Sequence, residues 1–495
     1  MKTIQFNDVT LRDGNQSLAA TRMTTAMALR VLPHLADSGF RVLELWGGAI
    51  LDACIRFTRE DPWDRLEQFK RVTGDRVKVS ALLRGQNLFG YQPYSDDLVV
   101  AFIREAVEAG VDVVRIFDAL NDPRNLQVAL LAARAYGAEV ETALSYTVSP
   151  VHTNRYFIDY ALQLEAEGAD RIVIKDMAGI LRPEKAVELF RGLKQAVKIP
   201  VTLHSHTTTG VALLNGILAM KYGLEAVDTA VTPFAGGSSL PPVEIMVAVA
   251  EELGLDHGLE IAALACAQDA LRIVKTELQE FNPLLQKFYR QPVRVADVDR
   301  NTIRQILRLI DRQDSSSLAE ALVLTRKLTD DLDYPTCDDR IFESQIPGGM
   351  LTNLQSQLQS MGAPHLLDQV MEEIPQVRAD VGYVPLVTPT SQIVGSQAAF
   401  NILSGERYSF VSNEFKMILR GEFGRTPAEP NPEIMQKVLG SDEMPLKYRP
   451  ASYLHPVLED PCNLPFIRNQ KDRLLHLLFG QPAEEFLKRR SSANN

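Results

Sequence analysis

Two histidines separated by one residue, His204-Ser205-His206, close a short apolar run that reads as a β-strand. Strand side chains alternate faces, so both imidazoles point to the same side. Two neutral nitrogen donors need an acidic ligand to make a useful divalent site, and Asp13, just after another strand-like run, can supply it. The competing reading of the pair is two structural core histidines. Lys175 ends the run Ile172-Val173-Ile174, where an ammonium would be buried at considerable cost unless it is neutralised. Spacing alone favours pairing with Asp176 or another carboxylate; the alternative is reaction with CO₂ to a carbamate, an anionic oxygen ligand. Arg84 and Arg12 also stand at strand ends. Each can grip a carboxylate in a bidentate fork or neutralise Asp52, Asp118 or Asp176. Gln16, Tyr91 and the loop Gly236-Gly237-Ser238-Ser239 add polar groups, although a loop tyrosine or serine by itself is ordinary surface.

What positions these residues is an alternation of short β-rich runs with longer amphipathic segments. The runs fall at 4–11, 42–46, 77–83, 111–117, 140–146, 171–174, 201–203 and 226–231. Helical patterns such as 97–109, 157–167 and 183–196 lie between them, and Gly110, Gly168 and Gly223 mark helix stops. Eight strand–helix units with largely apolar strands predict an α/β fold, a parallel (β/α)₈ TIM barrel. An open doubly wound sheet is the alternative, but its G-x-G-x-x-G signature is missing from the first turn. In such barrels active residues sit at the C-terminal ends of strands, where the residues above fall. Strands one and seven would flank strand eight, placing Asp13 near the histidine pair.

After about residue 300 the pattern becomes mainly helical, with helices read at 301–311, 317–332, 348–361, 366–374, 392–403 and 413–421. A Pro-rich passage at 384–389 interrupts them, 426–450 reads as a linker or surface wrap, and 489–495 as a frayed end. The resulting division is a barrel over 1–300, a helical region over 301–440 and a C-terminal extension over 441–495. A net charge of −11 without long basic runs gives no electrostatic reason to bind nucleic acid. The four cysteines are far apart in sequence and read as reduced thiols of a cytoplasmic protein. No uninterrupted apolar stretch approaches the roughly 18 residues of a membrane span, though docking onto a membrane partner is compatible with this.

The segment LRDGNQSLAATRM resembles the start of the carboxyltransferase domains of biotin-dependent enzymes: pyruvate carboxylase, the transcarboxylase carboxyltransferase subunit and the oxaloacetate decarboxylase alpha chain. The resemblance continues through ELWGGAILDACIRF, LLRGQNLFGY, RIFDALND, SYTVSPVHT, IKDMAGILRPE, LHSHTTTG and FAGGSSLPPVE. It resumes in ESQIPGGMLTNL, VPLVTPTSQIVGSQA and RGEFGRTP. So many motifs in order are specific.

The resemblance implies carboxyl transfer between carboxybiotin and a 2-oxo acid, pyruvate or oxaloacetate. It implies a divalent metal (Zn, Mn or Co) held by Asp13, carbamylated Lys175, His204 and His206, which reverses the spacing-based preference for Lys175. It further implies that Arg84 and Gln16 bind the acid with Arg12 alongside, that Asp52 and Tyr91 belong to the biotin pocket, and that Ser238 moves a proton where the family has a threonine. Asn15 stands in place of the family's histidine, and Leu240 replaces a polar side chain near the proposed biotin site. No AMKM-type biotinylation motif occurs, so biotin is expected in trans on a biotin carboxyl carrier protein. A biotin carboxylase or a membrane decarboxylase subunit is a further possible partner, and a homodimer is expected. The rival reading is a biotin-independent metal-dependent lyase or aldolase resembling hydroxymethylglutaryl-CoA lyase, which shares the RDGxQ start and the HxH pair.

Overall fold

The computed structural model describes residues 2–346, 354–355, 357–440, 445–459, 462 and 464–493. Eight parallel strands close into a barrel in chain order: β1 (Gln5–Asp8), β2 (Val42–Gly47), β3 (Lys78–Leu83), β4 (Val113–Phe117), β5 (Glu139–Ser145), β6 (Arg171–Asp176), β7 (Val201–Ser205) and β8 (Ala226–Thr229). Closure is made by β1 against β8, with Gln5 opposite Ala226 and Asp8 opposite Thr229. Strands β2, β4, β6, β7 and β8 are buried along their whole length. That is why they read as near-continuous apolar runs instead of alternating ones.

Helix starts are written locally. Asp61 accepts hydrogen bonds from the Trp63 and Asp64 amides, with Pro62 opening helix Pro62–Thr73, and Thr153 caps helix Asn154–Ala166 in the same way. β1 ends earlier than its apolar run suggested, because the chain enters a π-turn at Thr10–Gly14. There the amides of both Asp13 and Gly14 donate to the Val9 carbonyl, at 2.8 and 3.1 Å. This widened turn swings Arg12 and Asp13 over the barrel mouth.

The barrel core continues through helices Arg300–Arg312 and Ser315–Asp331 to Ile341, and takes in Phe466, Leu474, Leu475 and Leu487 of the C-terminal segment. A second core gathers Val370, Ile374, Val377, Val394, Ala398, Phe415 and Ile418, with Leu120 contributed by the barrel. This second body is fastened to the mouth by polar bonds: Asn125 Nδ2 to the Phe423 carbonyl at 2.7 Å, the Arg425 amide to Asp122 at 2.7 Å, and Arg378 Nη2 to Thr147 at 2.7 Å. From the Pro-rich passage, Val387 packs with Leu82, Phe117, Ala119, Ala143 and Val173 in one apolar cluster, so it closes part of the barrel's open end. Burying such a side chain contributes about 1.5–3 kcal/mol.

Two readings of the chain end change. The expected surface wrap holds a helix at Pro432–Leu439, opened by an Asn431 cap. The expected frayed end is helical to Ala493, because Arg490 pairs with Asp61 at 2.5 Å and Asp472 at 2.6 Å. Residues 494–495 lie outside the described residues, as do 348–353 and 356 of the helix expected at 348–361, whose positions 354–355 and 357–360 are helical.

The register of β2 slips between Glu44 and Trp46, and Gly47 then adopts φ +84°. A Cβ there would stand 2.2 Å from the Leu82 carbonyl oxygen. Gly47→Ala is therefore expected to destabilise the barrel by more than about 1 kcal/mol, read as a lowered unfolding midpoint in calorimetry. An unchanged midpoint would contradict this registration of β2 on β3.

Candidate metal centre and active site

His204 lies in β7 and His206 just beyond it, and their Nε2 atoms are 3.3 Å apart. Asp13 Oδ2 is 3.6 Å from each. Lys175, at the end of β6 and fully buried, places Nζ 3.0 Å from His204 Nε2. Ligands about 2.1 Å from a tetrahedral ion stand roughly 3.4 Å from one another, so the spacing of Asp13, His204 and His206 fits one divalent cation.

Hydrogen bonding behind the rings sets which nitrogens face the centre. His204 Nδ1–H donates to Asp228 at 2.8 Å, and His206 Nδ1–H donates to the Ser238 carbonyl at 2.7 Å. Both Nε2 lone pairs are thereby directed at one another and at Asp13. Lys175 Nζ, 3.0 Å from His204 Nε2, can answer one of these lone pairs, while a shared cation would answer both together with Asp13.

Electrostatics points the same way. Burial, and then Lys175, push the His204 imidazole down to about 3, so it stays neutral. Burial acts to raise Asp13, but Arg12, then the two histidines and Lys175, hold it well below the usual carboxylate range. Burial and the nearby Arg12 lower Lys175 to about 8, which makes a neutral amine accessible near physiological pH. A neutral amine is what reaction with CO₂ requires.

Of the pairings that spacing favours for Lys175, the one with Asp176 does not occur, and among the described residues no other carboxylate takes its place within ion-pair distance; its near neighbour is His204. Asp176 has the opposite strand parity: its carboxylate accepts from the Ile180 and Leu181 amides at 2.9 and 3.0 Å and from Ser205 at 2.9 Å. Nor does Arg12 pair with Asp52, Asp118 or Asp176. It bonds Glu44 at 2.5 Å and Asp13 at 2.8 Å, while its Nη1 lies 3.4 Å from Gln16 Oε1.

Arg84 differs from the other buried guanidiniums of the mouth. It is 8% exposed and donates to the Phe89 and Gly90 carbonyls. Among the described residues no carboxylate lies within ion-pair distance of it. A buried cation satisfied only by neutral oxygens is a ready receptor for an anionic ligand.

Ser238 lies against the centre through its backbone, and its hydroxyl donates to the Ser17 carbonyl at 3.0 Å. Ser17 in turn donates to Asp13 Oδ1 at 2.9 Å. Tyr91 is 55% exposed, with its ring 5.9 Å from the Arg84 guanidinium. Asp52 pairs with Arg56 at 2.6 Å on the surface. These two stand at the outer rim, not beside the donor cluster. On the opposite wall, the Phe117 ring is 5.8 Å from Lys175 Nζ.

Sequence reading passed over Glu44, Arg115, Glu141 and Asp228, all buried inside the barrel. Each is a charged residue on the inward parity shared with Lys175 or His204, and Glu44, Arg115 and Asp228 interrupt largely apolar strands. That interruption was the available signal.

Substituting a donor should abolish ion retention: His206→Ala and Asp13→Asn are expected to lose at least ten-fold in Zn²⁺ or Mn²⁺ affinity, measured by chelator competition and elemental analysis. Wild-type affinity in both variants would rule this centre out.

Known proteins resemble the chain in both halves. The conserved carboxylase domain model matches residues 341–495, and the HMGL-like model matches residues 98–271. A pyruvate carboxylase subunit of Methanocaldococcus jannaschii is 39% identical over 489 residues, spanning 98% of this chain and 78% of the relative. The methylmalonyl-CoA carboxyltransferase 5S subunit of Propionibacterium freudenreichii subsp. shermanii is 35% identical over 498 residues, spanning 99% and 88%. Among solved structures, the carboxyl transferase domain from Rhizobium etli pyruvate carboxylase with pyruvate and biocytin superposes with a TM-score of 0.77 at 26% identity, over 99% of this chain and 78% of that one.

Proposed function

The chain belongs to the biotin-dependent carboxyltransferase family, and from that premise we propose that it moves a carboxyl group between carboxybiotin and pyruvate, forming or consuming oxaloacetate. The observation that carries the reading is the pairing of a two-histidine, one-aspartate cluster with Arg84, the buried guanidinium with no carboxylate within ion-pair distance among the described residues. The first suits a polarised 2-oxo group and the second its carboxylate.

Asp13, His204, His206 and a carbamate on Lys175 would hold a divalent ion, Zn²⁺, Mn²⁺ or Co²⁺. Such an ion, when bound, supplies fixed positive charge that lowers the cost of forming an enolate. The charge balance fits. Asp13, Glu44 and Asp228 face Arg12 and Arg115, leaving one negative charge, and a carbamate adds a second. Arg84 and Gln16 bind the acid's carboxylate, and Arg12, already tied to Glu44 and Asp13, acts beside them as a fixed charge. Ser238 passes the proton released from C3 of pyruvate to the biotin nitrogen as the N–CO₂ bond breaks, and C3 then bonds to the freed CO₂. Tyr91 and Asp52 receive the biotin ring at the rim.

In this reading biotin arrives on a carrier polypeptide. A biotin carboxylase or a membrane decarboxylase subunit completes the system, and the chain works as a homodimer in the cytoplasm. The biocytin-bound Rhizobium etli structure supports a biotin-bearing partner. Among the described residues no helix is long and apolar enough to cross a membrane. The lyase alternative has the HMGL-like match in its favour, but the relatives named above that span nearly the whole chain are a pyruvate carboxylase subunit and a carboxyltransferase subunit.

The test is exchange of labelled pyruvate into oxaloacetate with biotin or a biotinylated carrier. Exchange should require biotin; its absence from metal-loaded, CO₂-equilibrated protein would refute the reading, and biotin-independent retro-aldol cleavage would favour the lyase. Arg84→Met is expected to lower kcat/KM about 10- to 100-fold, the loss of roughly 1.5–3 kcal/mol of charged hydrogen bonding, mostly through KM. Ser238→Ala should lower kcat with KM little changed; unchanged kcat would remove Ser238 from the proton path.

A further inference from the structure

Two of the three donors are tied to each other through the inside of the barrel. From Asp13, Arg12 Nη2 is 2.8 Å away, and Arg12 Nε donates to Glu44 at 2.5 Å. Glu44 Oε2 forms an ion pair with Arg115 Nη1 at 3.3 Å. Arg115 holds Asp228 with both terminal nitrogens, Nη2 at 3.2 Å from Oδ1, and Asp228 accepts from His204 Nδ1 at 2.8 Å. His204 Nε2 then faces Asp13 again. The result is a ring of six side chains joined by five contacts and completed by the 3.6 Å gap between the two donors, supplied by β2, β4, β7, β8 and the turn after β1. All six are at most 4% exposed.

His206 stands outside this ring, since its Nδ1 is held by the backbone of Ser238. Glu141 joins Arg115 at 2.8 Å but is also paired from the other side by Arg41, so it does not need Arg115 for its charge. Neither Glu44 nor Arg115 is one of the clustered donors. Yet each fixes a residue that holds a donor: Glu44 sets Arg12, and thus Asp13, while Arg115 sets Asp228, and thus His204.

We propose that Glu44 and Arg115 are positioning residues that jointly set the separation of Asp13 and His204, and so the affinity of the site for a divalent cation. The proposal rests on the reading of this cluster as a metal centre. Mere neutralisation of buried carboxylates would be a weaker role, and the two make different predictions. If the ring positions the donors, breaking it at Glu44, on the far side from His204, should still be felt at His204.

The experiment uses Glu44→Gln, which keeps an oxygen for Arg12 but turns an amide against Arg115, and Arg115→Lys, which keeps the charge but loses the fork. Divalent-ion affinity is measured by chelator competition, and the exchangeable Nδ1–H resonances of the two histidine ligands are followed by NMR in the Co²⁺-loaded protein. Both variants are expected to bind Co²⁺ and Zn²⁺ about 10-fold more weakly, the low end of what losing a ligand's own partner costs, because each acts one residue further out. The His204 resonance should shift while that of His206 stays. Should Glu44→Gln misfold, Arg115→Lys carries the same readouts. Affinity within two-fold of wild type with neither line moved would overturn the proposal, and so would equal movement of both lines, which signals general loosening. A wild-type protein that binds no divalent ion would instead overturn the metal centre itself.

Discussion

A closed barrel leaves no water inside to solvate charge, so every ionised group within it must be answered by another. Here that constraint is met by interleaving Asp13, Arg12, Glu44, Arg115 and Asp228 across strands far apart in sequence. Unpaired, any of them would cost several kcal/mol to bury. Paired, they form a charged floor below the mouth that sets the tautomer of His204 and keeps Asp13 ionised, while burial, then Arg12, depresses the basicity of Lys175. The site's chemistry follows from how the barrel disposes of its own charge.

Above this floor the mouth divides into two walls. On one, donors and guanidiniums come from the turn after β1 (Arg12, Asp13), the end of β3 (Arg84), β6 (Lys175) and β7 with the residue after it (His204, His206). On the other, Phe117, Leu82 and Val173 meet Val387 from the second helical body. A small anionic acid and an apolar one-carbon unit need these two kinds of surface, polar and dry, within a few ångströms. The second body therefore covers part of the barrel's open end, which agrees with the match of a carboxylase domain model to residues 341–495.

Much of this was legible without coordinates. The eight strands emerged because parallel barrel strands are buried on both faces, and the polar residues at their C-terminal ends stood out against apolar runs. Alternation along β7 placed His204 and His206 on one side, as their 3.3 Å contact shows. The choice of Asp176 as partner of Lys175 failed on the same rule: neighbours along a strand face opposite ways, and Asp176 caps the loop after β6. The last residues were expected to fray because local composition carries no record of Asp61 and Asp472, which anchor Arg490.

The amino-acid order by itself determined the barrel, the donor types and their strand-end positions, because periodicity and burial are local properties that recur with each unit. It also carried the family resemblance, which rests on motifs read in order. Only the tertiary structure decided which charges are consumed and which stay free. Arg12 and Arg84 look alike in the chain, yet one is locked to Glu44 and Asp13 while the other donates to carbonyls and has no carboxylate within ion-pair distance among the described residues. Ion pairing depends on distances between strands separated by up to hundreds of residues, and closure of the cylinder alone sets those distances.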